Sequence, residues 1–521
     1  PFAVSRTRRP PVDPIVVLVV VALIPALLLW GLFRWSSNRA DIAADAAPLT
    51  SSTPADAPPV TAEFSTDDPT DDPVDSPVDP VTTDEPPSVA LATELLSFRR
   101  SAGELSRDLN MAAFQVAVQP FLSALNDRSC AAISLDGREV GAARPDLVVI
   151  PASNQKILVA AAALDVLGDT FTYTTTVVGP APSGGVINGD VYLVGGGDPL
   201  LSGEWYPDAD LDRLPAFNIT SVDELARQLV AAGVTQINGV IRGDGSRYDD
   251  EFSAPGWGDG VAGLEAGPYD ALLVNDARVR NDDQRGSDPN EAAAREFVRI
   301  LGEQGIAVSG GAGTGTAPPE LAQLASVASQ PIAAVIEEML TNSDNNTAEL
   351  MVKEIGLASA GSGTRTAGLD AIESVIAGWG IDTTGLVLGD GSGLSLDNRV
   401  TCAQMLGVLQ HAGYDSPVGQ GLAVAGETGT LADVFGDTAV AGRLRGKTGT
   451  LNNTPYDADP PAVKALSGFL PVDGGGAIEY VMILNGPTIN DQAEYRPIWA
   501  EMVAALTSFP AVASPAALGP Q

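Results

Sequence analysis

The first group of residues in this chain whose types and spacing suit catalysis is a Ser-x-x-Lys motif. Ser153 precedes Lys156 by three residues in the stretch PASNQKILVAAAAL, and at a helix start this spacing places both side chains on one face. Serine is a weak nucleophile unless a base takes its proton. A lysine can be that base when burial and a second cation keep it neutral. The alternative interpretation is an N-capping serine beside an unrelated lysine.

Two further motifs follow in chain order. Residues 343–345 read Ser-Asp-Asn, and residues 447–449 read Lys-Thr-Gly. Each has a structural alternative, which is a helix N-cap for the first and a strand end with a solvated lysine for the second. The chain has only four lysines, and two of them, Lys156 and Lys447, fall within the set of three motifs. The trio in this order is the set used by penicillin-interacting serine enzymes, so it predicts a serine acyl-transfer site.

The stretch GRLRGKTGT, residues 442–450, also resembles the end of a phosphate-binding loop. That loop has four residues between its first glycine and the Gly-Lys-[Ser/Thr] element, whereas only three separate Gly442 from Gly446. The loop must also open a helix, but Lys447 is followed by turn-rich sequence with several prolines. Spacing and context therefore favour the acyl-transfer interpretation.

Composition restricts the remaining classes of function. The 66 acidic residues outweigh 29 basic ones, for a formal charge of -37, which argues against nucleic acid and against charge-driven binding to anionic lipid. The single histidine, His411, argues against a histidine-based metal site and would have to serve any Ser-His-Asp triad. Cys130 and Cys402 either pair or remain buried thiols, and the sequence leaves both options open.

The N-terminal part predicts an exported protein. Three arginines precede an apolar run over residues 15–33 that is long enough to span a bilayer, with residues 1–14 left in the cytoplasm by the positive-inside rule. A long signal peptide cut near residues 44–47 is the alternative. Residues 40–89 are rich in proline and acidic residues, which predicts a disordered linker. We therefore expect an extracytoplasmic domain anchored to the membrane, or secreted if the helix is cleaved.

The elements that must position the motifs lie after residue 90. A helix over residues 154–168 carries Lys156 in its first turn and ends at Gly168. Short strands dominate residues 173–320, which predicts an inserted, mostly-β domain within a domain formed by residues 90–172 and 321–521. Antiparallel strands at both ends of a helical middle indicate an α+β fold.

A family resemblance extends well beyond the three motifs. From about Leu91 onward the sequence resembles the D-alanyl-D-alanine carboxypeptidase/endopeptidase family of class C low-molecular-mass penicillin-binding proteins, peptidase family S13. This resemblance implies a penicillin-binding/serine β-lactamase-like transpeptidase domain, with an antiparallel sheet flanked by helices. The segment between Ser153 and Ser343 is shorter than in the largest members, so we expect one inserted domain rather than two. The stretches that carry the resemblance are VVIPASNQKILVAAAAL, YLVGGGDPLL, YDALLVNDARV, NSDNNTAELMVKEIG, LGDGSGLSLDNRVT and AGRLRGKTGTL.

The resemblance implies a catalytic role for each motif. Ser153 would attack the carbonyl between two D-alanines of a peptidoglycan stem peptide while Lys156 accepts its proton. Ser343 would relay a proton to the leaving amine, and Asn345 would orient Lys156 and the substrate amide. Water would then hydrolyse the acyl-enzyme. A β-lactam would acylate Ser153 in the same way and leave slowly.

The resemblance also implies a binding role for the third motif. Lys447 and Thr448 would hold the terminal carboxylate of the substrate. Gly449 belongs to the same substrate-binding strand, and the backbone N–H groups of Ser153 and Thr450 would form the oxyanion hole. No metal or organic cofactor is needed for this chemistry.

Two other functions are compatible with the trio. A β-lactamase or esterase could use it, but the chain has no Glu-x-x-Leu-Asn stretch of the kind that drives deacylation in class A lactamases. A catalytically silent peptidoglycan-binding or sensor protein could keep the fold, but it would have no need to keep Ser153. A second stretch, ETGTL at residues 427–431, repeats KTGTL with Glu427 in place of the lysine, and we interpret it as a turn and helix start.

Overall fold

The computed structural model describes residues 102–209, 211, 214–257, 261–282, 284–452 and 461–510, which belong to one compact unit. The predicted membrane helix at residues 15–33 and the predicted linker at residues 40–89 lie outside the described residues. Among the described residues, every helix is too short or too polar to cross a bilayer.

The largest sheet is antiparallel and has six strands in the order β13-β14-β15-β16-β1-β2. Alternate residues of its central strands enter two different hydrophobic clusters, because successive side chains of a strand point to opposite faces. In β16, Val481 and Ile483 join one cluster, while Met482 and Leu484 join the other. The strands of this sheet are β1 (Cys130–Leu135), β2 (Arg138–Ala143), β13 (Ala423–Val424), β14 (Arg445–Leu451), β15 (Ala462–Pro471) and β16 (Ala477–Gly486).

The helices pack around one that is buried on almost all sides. This is α3, an alanine-rich helix whose residues from Gln155 to Ala163 are buried and which ends where Gly168 takes a positive φ of 78°. The predicted helix over residues 154–168 is therefore confirmed to within a residue at each end. The helices are α1 (Ala102–Ala117), α2 (Gln119–Ala124), α3 (Gln155–Leu167), α4 (Val222–Ala231), α5 (Pro289–Glu303), α6 (Ile332–Asn342), α7 (Asn345–Ala360), α8 (Arg365–Gly378), α9 (Cys402–Ala412), α10 (Pro417–Gln420) and α11 (Gln492–Thr507).

The segment between α3 and α6 builds its own sheets. A five-stranded sheet has the order β11-β9-β5-β3-β12, a three-stranded sheet has the order β10-β8-β4, and β6 pairs with β7. Together with α4 and α5 they enclose a separate hydrophobic cluster. The strands are β3 (Thr174–Gly179), β4 (Val186–Asn188), β5 (Val191–Val194), β6 (Leu201–Ser202), β7 (Thr220–Ser221), β8 (Gln236–Asn238), β9 (Ile241–Asp244), β10 (Ala307–Val308), β11 (Ala312–Thr314) and β12 (Ala322–Ala328).

Two features of this segment bear on the predicted mostly-β domain over residues 173–320. Several of its strand pairs are parallel, including β5 with β9 and β9 with β11, and parallel pairs need crossover connections. The sheet also continues past residue 320, because β12 pairs antiparallel with β3. The division into two domains stays a prediction.

A disulfide joins Cys130 at the start of β1 to Cys402 at the start of α9, with the two Cα atoms 5.9 Å apart. The two cysteines are 272 residues apart in sequence. The fold therefore decides between the two options that the sequence left open, since only tertiary packing brings these residues together.

Candidate active site

The Ser-x-x-Lys motif lies where a 3₁₀ turn runs into α3. Ser153 is in the turn Ala152–Asn154, and Lys156 is the second residue of the helix. Ser153 is half-buried, whereas Lys156 has no exposed surface. The Lys156 Nζ lies 3.0 Å from the Ser153 Oγ, within hydrogen-bond reach.

Lys156 has two further partners, and both are acceptors. Its Nζ lies 2.7 Å from Oδ1 of Asn345 and 2.6 Å from the carbonyl oxygen of Ser392. A neutral amine has two N–H groups and one lone pair. With the two N–H groups donated to these oxygens, the lone pair faces the hydroxyl of Ser153, which can then donate its proton to Lys156.

The surroundings of Lys156 favour the neutral amine that this geometry needs. Burial lowers its pKa from 10.5 to about 8, against the opposing charges of Asp390, Asp344 and Glu349. Desolvation disfavours the charged form of a lysine. With a pKa of about 8, roughly a tenth of Lys156 is a free base at pH 7, far more than for an unshifted lysine, and the free base is the form that a general base requires.

The second and third motifs meet across the same site. Ser343 ends α6 with a left-handed backbone (φ 62°), and Asp344 caps the following helix through the N–H of Thr347. The Nζ of Lys447, on β14, donates to the Ser343 Oγ at 2.8 Å. Lys447 is fully buried, and burial together with the charge of Lys156 holds its pKa well below the usual value.

The three motifs open onto a cleft of about 350 Å³. Thr448 and Thr450 alternate along β14 and both line the cleft, whereas the intervening Gly449 packs against the backbone of Pro151. A side chain at Gly449 would have its Cβ 3.0 Å from the Pro151 carbonyl oxygen. The glycine therefore lets the strand approach the turn Ala152–Asn154, which carries Ser153 and which we name the nucleophile turn. The residues of the three motifs that line the cleft are Ser153, Ser343, Asp344, Asn345 and Thr448, and Thr450 follows the third motif on the same strand.

Sequence reasoning missed two contributors to this site. The first is the carbonyl of Ser392, which lies in the stretch DGSGLS. A carbonyl is present at every residue, so its only sequence signal is the glycine-rich composition of the loop. The second is the segment between α3 and α6, from which Leu264 and Glu265 line the cleft and Glu265 accepts a hydrogen bond from Asn345 Nδ2 at 3.0 Å. Thr430, within the ETGTL stretch, also lines the cleft, and it is the middle residue of a 3₁₀ turn over Gly429–Leu431.

The sequence model of the D-Ala-D-Ala carboxypeptidase 3 (S13) family matches residues 134–285 and 272–509, which together contain all three motifs. The chain belongs to this family. Its members are serine peptidases, so the chain is a serine-type D-Ala-D-Ala carboxypeptidase, and the expected family and activity are confirmed.

Curated relatives support the same assignment. A carboxypeptidase of Mycobacterium tuberculosis is 33% identical over 394 residues, covering 71% of this chain and 78% of the relative. A D-alanyl-D-alanine carboxypeptidase of an Actinomadura species is 30% identical over 411 residues, covering 65% of this chain and 73% of the relative.

The fold matches that of a solved family member. The crystal structure of penicillin binding protein 4 from Haemophilus influenzae superposes with a TM-score of 0.59 at 21% identity, covering 74% of this chain and 99% of the other. The S13 chain therefore has the penicillin-binding/serine β-lactamase-like fold with mixed helices and strands, as expected.

Proposed function

We propose that this S13 peptidase cleaves the D-Ala-D-Ala bond of peptidoglycan stem peptides with Ser153 as the nucleophile and Lys156 as its general base. The observation that carries the proposal is the set of contacts of Lys156. Two acceptors occupy its N–H groups, the Ser153 Oγ lies 3.0 Å away, and burial lowers its pKa to about 8. An amine held in this way can take the serine proton as the acyl bond forms.

Ser343 is proposed to return a proton to the leaving D-alanine. Its hydroxyl faces the cleft and accepts from Lys447 at 2.8 Å, so Lys447, when it is protonated, can replace a proton that Ser343 gives to the leaving amine. Asn345 is bound on both ends of its amide, by Lys156 through Oδ1 and by the Glu265 carbonyl through Nδ2. This contact pattern supports its proposed role in orienting Lys156.

The Lys-Thr-Gly strand is proposed to bind the terminal carboxylate of the substrate. Thr448 reaches the cleft directly, whereas Lys447 lies buried behind it. An arriving anion would raise the pKa of Lys447 and favour its protonated form, because an opposite charge stabilises an ammonium. The N–H groups of Ser153 and Thr450 are proposed to form the oxyanion hole, since both residues line the cleft.

Acylation by a penicillin tests the roles of Ser153 and Lys156. We expect a fluorescent penicillin to label the parent stably and to label neither Ser153→Ala nor Lys156→Ala. Ser374→Ala is the matched control, because its Oγ is exposed and bonds only within α8. Labelling of Ser153→Ala would overturn the assignment of the nucleophile. Rapid turnover of the penicillin would instead indicate a β-lactamase.

We further propose that the peptidase acts outside the cytoplasmic membrane, anchored by residues 15–33 and spaced from the bilayer by residues 40–89. The apolar run with arginines before it supports the anchor. The full chain should stay in the membrane fraction through an alkaline wash, and a chain lacking residues 1–39 should not. Release of the full chain by that wash would contradict the anchor.

A further inference from the structure

The contact between Lys156 and the Ser392 carbonyl depends on a loop that two buried carboxylates hold. We name residues 390–393 the acceptor loop. Oε1 of Glu349, on α7, accepts from the N–H of Gly391 at 3.0 Å and from the N–H of Ser392 at 2.7 Å. Oδ1 of Asp390 accepts from the N–H of Gly393 at 2.8 Å.

These bonds fix three successive peptide planes. The N–H of Gly393 and the carbonyl of Ser392 belong to the same peptide group. Because a peptide group is planar, holding the N–H also sets the direction of the carbonyl. Asp390 therefore holds one end of this group while Lys156 binds the other at 2.6 Å. The two preceding planes are held by Glu349, so the direction of the Ser392 carbonyl is set before Lys156 contacts it.

The two acids are themselves enclosed. Glu349 is 1% exposed and Asp390 is 0% exposed. Asp390 also accepts from Asn398 Nδ2 at 2.7 Å and from Trp257 Nε1 at 2.8 Å. A carboxylate held by this many donors has little freedom to move.

Glu349 interacts electrostatically with Asp390 and with Lys156. Burial, followed by the charge of Asp390, raises the Glu349 pKa to about 7. The charge of Glu349 also raises the pKa values of Lys156, Tyr269 and Arg365. The negative charges of Asp390 and Glu349 raise the Lys156 pKa against the lowering by burial.

We propose that Glu349 and Asp390 are positioning residues for acylation, which hold the Ser392 carbonyl so that it occupies one N–H of Lys156 and leaves the amine lone pair facing Ser153. The inference rests on the proposed role of Lys156 as the base. Neither acid touches the substrate in this scheme, and both act through the acceptor loop.

The test compares Glu349→Ala with Glu349→Gln in the full chain, measuring the rate of acylation by a fluorescent penicillin from pH 6 to pH 10. Glu349→Ala leaves two backbone N–H groups without their acceptor. We expect acylation at least about tenfold slower, since a displacement of about 1 Å at a reacting group can lower a rate by about a hundredfold. Glu349→Gln keeps an oxygen acceptor but removes the charge. It should keep most of the parental rate, and its pH midpoint should move to lower pH because Lys156 loses a neighbouring negative charge.

The matched control is Glu296, a buried glutamate on α5 that accepts from Trp205 and Arg299 and does not line the cleft. Glu296→Gln is expected to leave the pH midpoint of acylation unchanged. Parental acylation by Glu349→Ala would overturn the inference. If Glu349→Ala does not fold, an unchanged midpoint in Glu349→Gln overturns it instead. Absence of labelling in the parent would point to failure of the proposed function, which separates the two results.

Discussion

The pH dependence of acylation follows directly from the environment of Lys156. A general base works only when deprotonated, and burial places the pKa of Lys156 at about 8. About one molecule in eleven then carries the free base at pH 7, and about ten in eleven do at pH 9. We therefore expect acylation to become roughly tenfold faster over these two units and to level off near pH 9.

An unshifted lysine would behave differently over the same range. With a pKa of about 10.4, the free base would increase roughly a hundredfold between pH 7 and pH 9, without levelling off. The size of the increase therefore reports the pKa shift that burial causes. The second-order acylation rate is the quantity to measure, because at low penicillin concentration it reflects the ionisation of the free enzyme.

The assay uses stopped-flow mixing with a fluorescent penicillin, and the signal of Ser153→Ala is subtracted at each pH to remove uncatalysed hydrolysis. Lys156→Arg is the companion variant. Arginine stays protonated throughout this range, so this variant should not acylate at any pH tested. A rate that is flat from pH 6 to pH 10, or one that increases about a hundredfold between pH 7 and pH 9, would refute the reasoning.

Three further outcomes can be checked on the same preparation. Lys447→Ala should raise KM for a D-Ala-D-Ala peptide at least about tenfold, since it removes the amine that is proposed to become protonated when the carboxylate binds, and an unchanged KM would contradict the binding role. Reduction of the bond between Cys130 and Cys402 should lower the free energy of unfolding by up to about 5 kcal/mol, because it closes a long loop, and an unchanged denaturation midpoint would contradict this. Gly393→Ala should lower both the melting temperature and the acylation rate, because Gly393 has a φ of +86° and its Cβ would lie 2.0 Å from a carbonyl oxygen of the nucleophile turn. Gly378→Ala, at a helical position with open space, should lower neither of them, because alanine favours a helix more than glycine does.

Much of the fold could be predicted because its elements have strong local signals. The alanine-rich α3 ends at a glycine, and the apolar runs of β15 and β16 lie near the C-terminus, as expected. The strand pairing in the segment between α3 and α6 was harder to predict. Its strands are short, and parallel pairing between distant strands leaves little trace in a local pattern.

The sequence by itself determined the reactive groups and their family. Serine, lysine and the order of the three motifs are properties of residue type and spacing, and these define what chemistry is possible. The membrane and linker predictions at residues 15–33 and 40–89 also come from composition alone, and they lie outside the described residues.

Only the tertiary structure decided which groups the Lys156 amine contacts and how it is oriented toward Ser153. Asn345 is 189 residues away in sequence and Ser392 is 236 residues away, so their contacts exist only once α3, α7 and the acceptor loop have packed together. The lowered pKa of Lys156 has the same origin, because desolvation depends on what surrounds the amine in space. The contacts of Glu349 with the acceptor loop could not be predicted from a sequence motif. Its partners there are backbone N–H groups, and every residue other than proline supplies one.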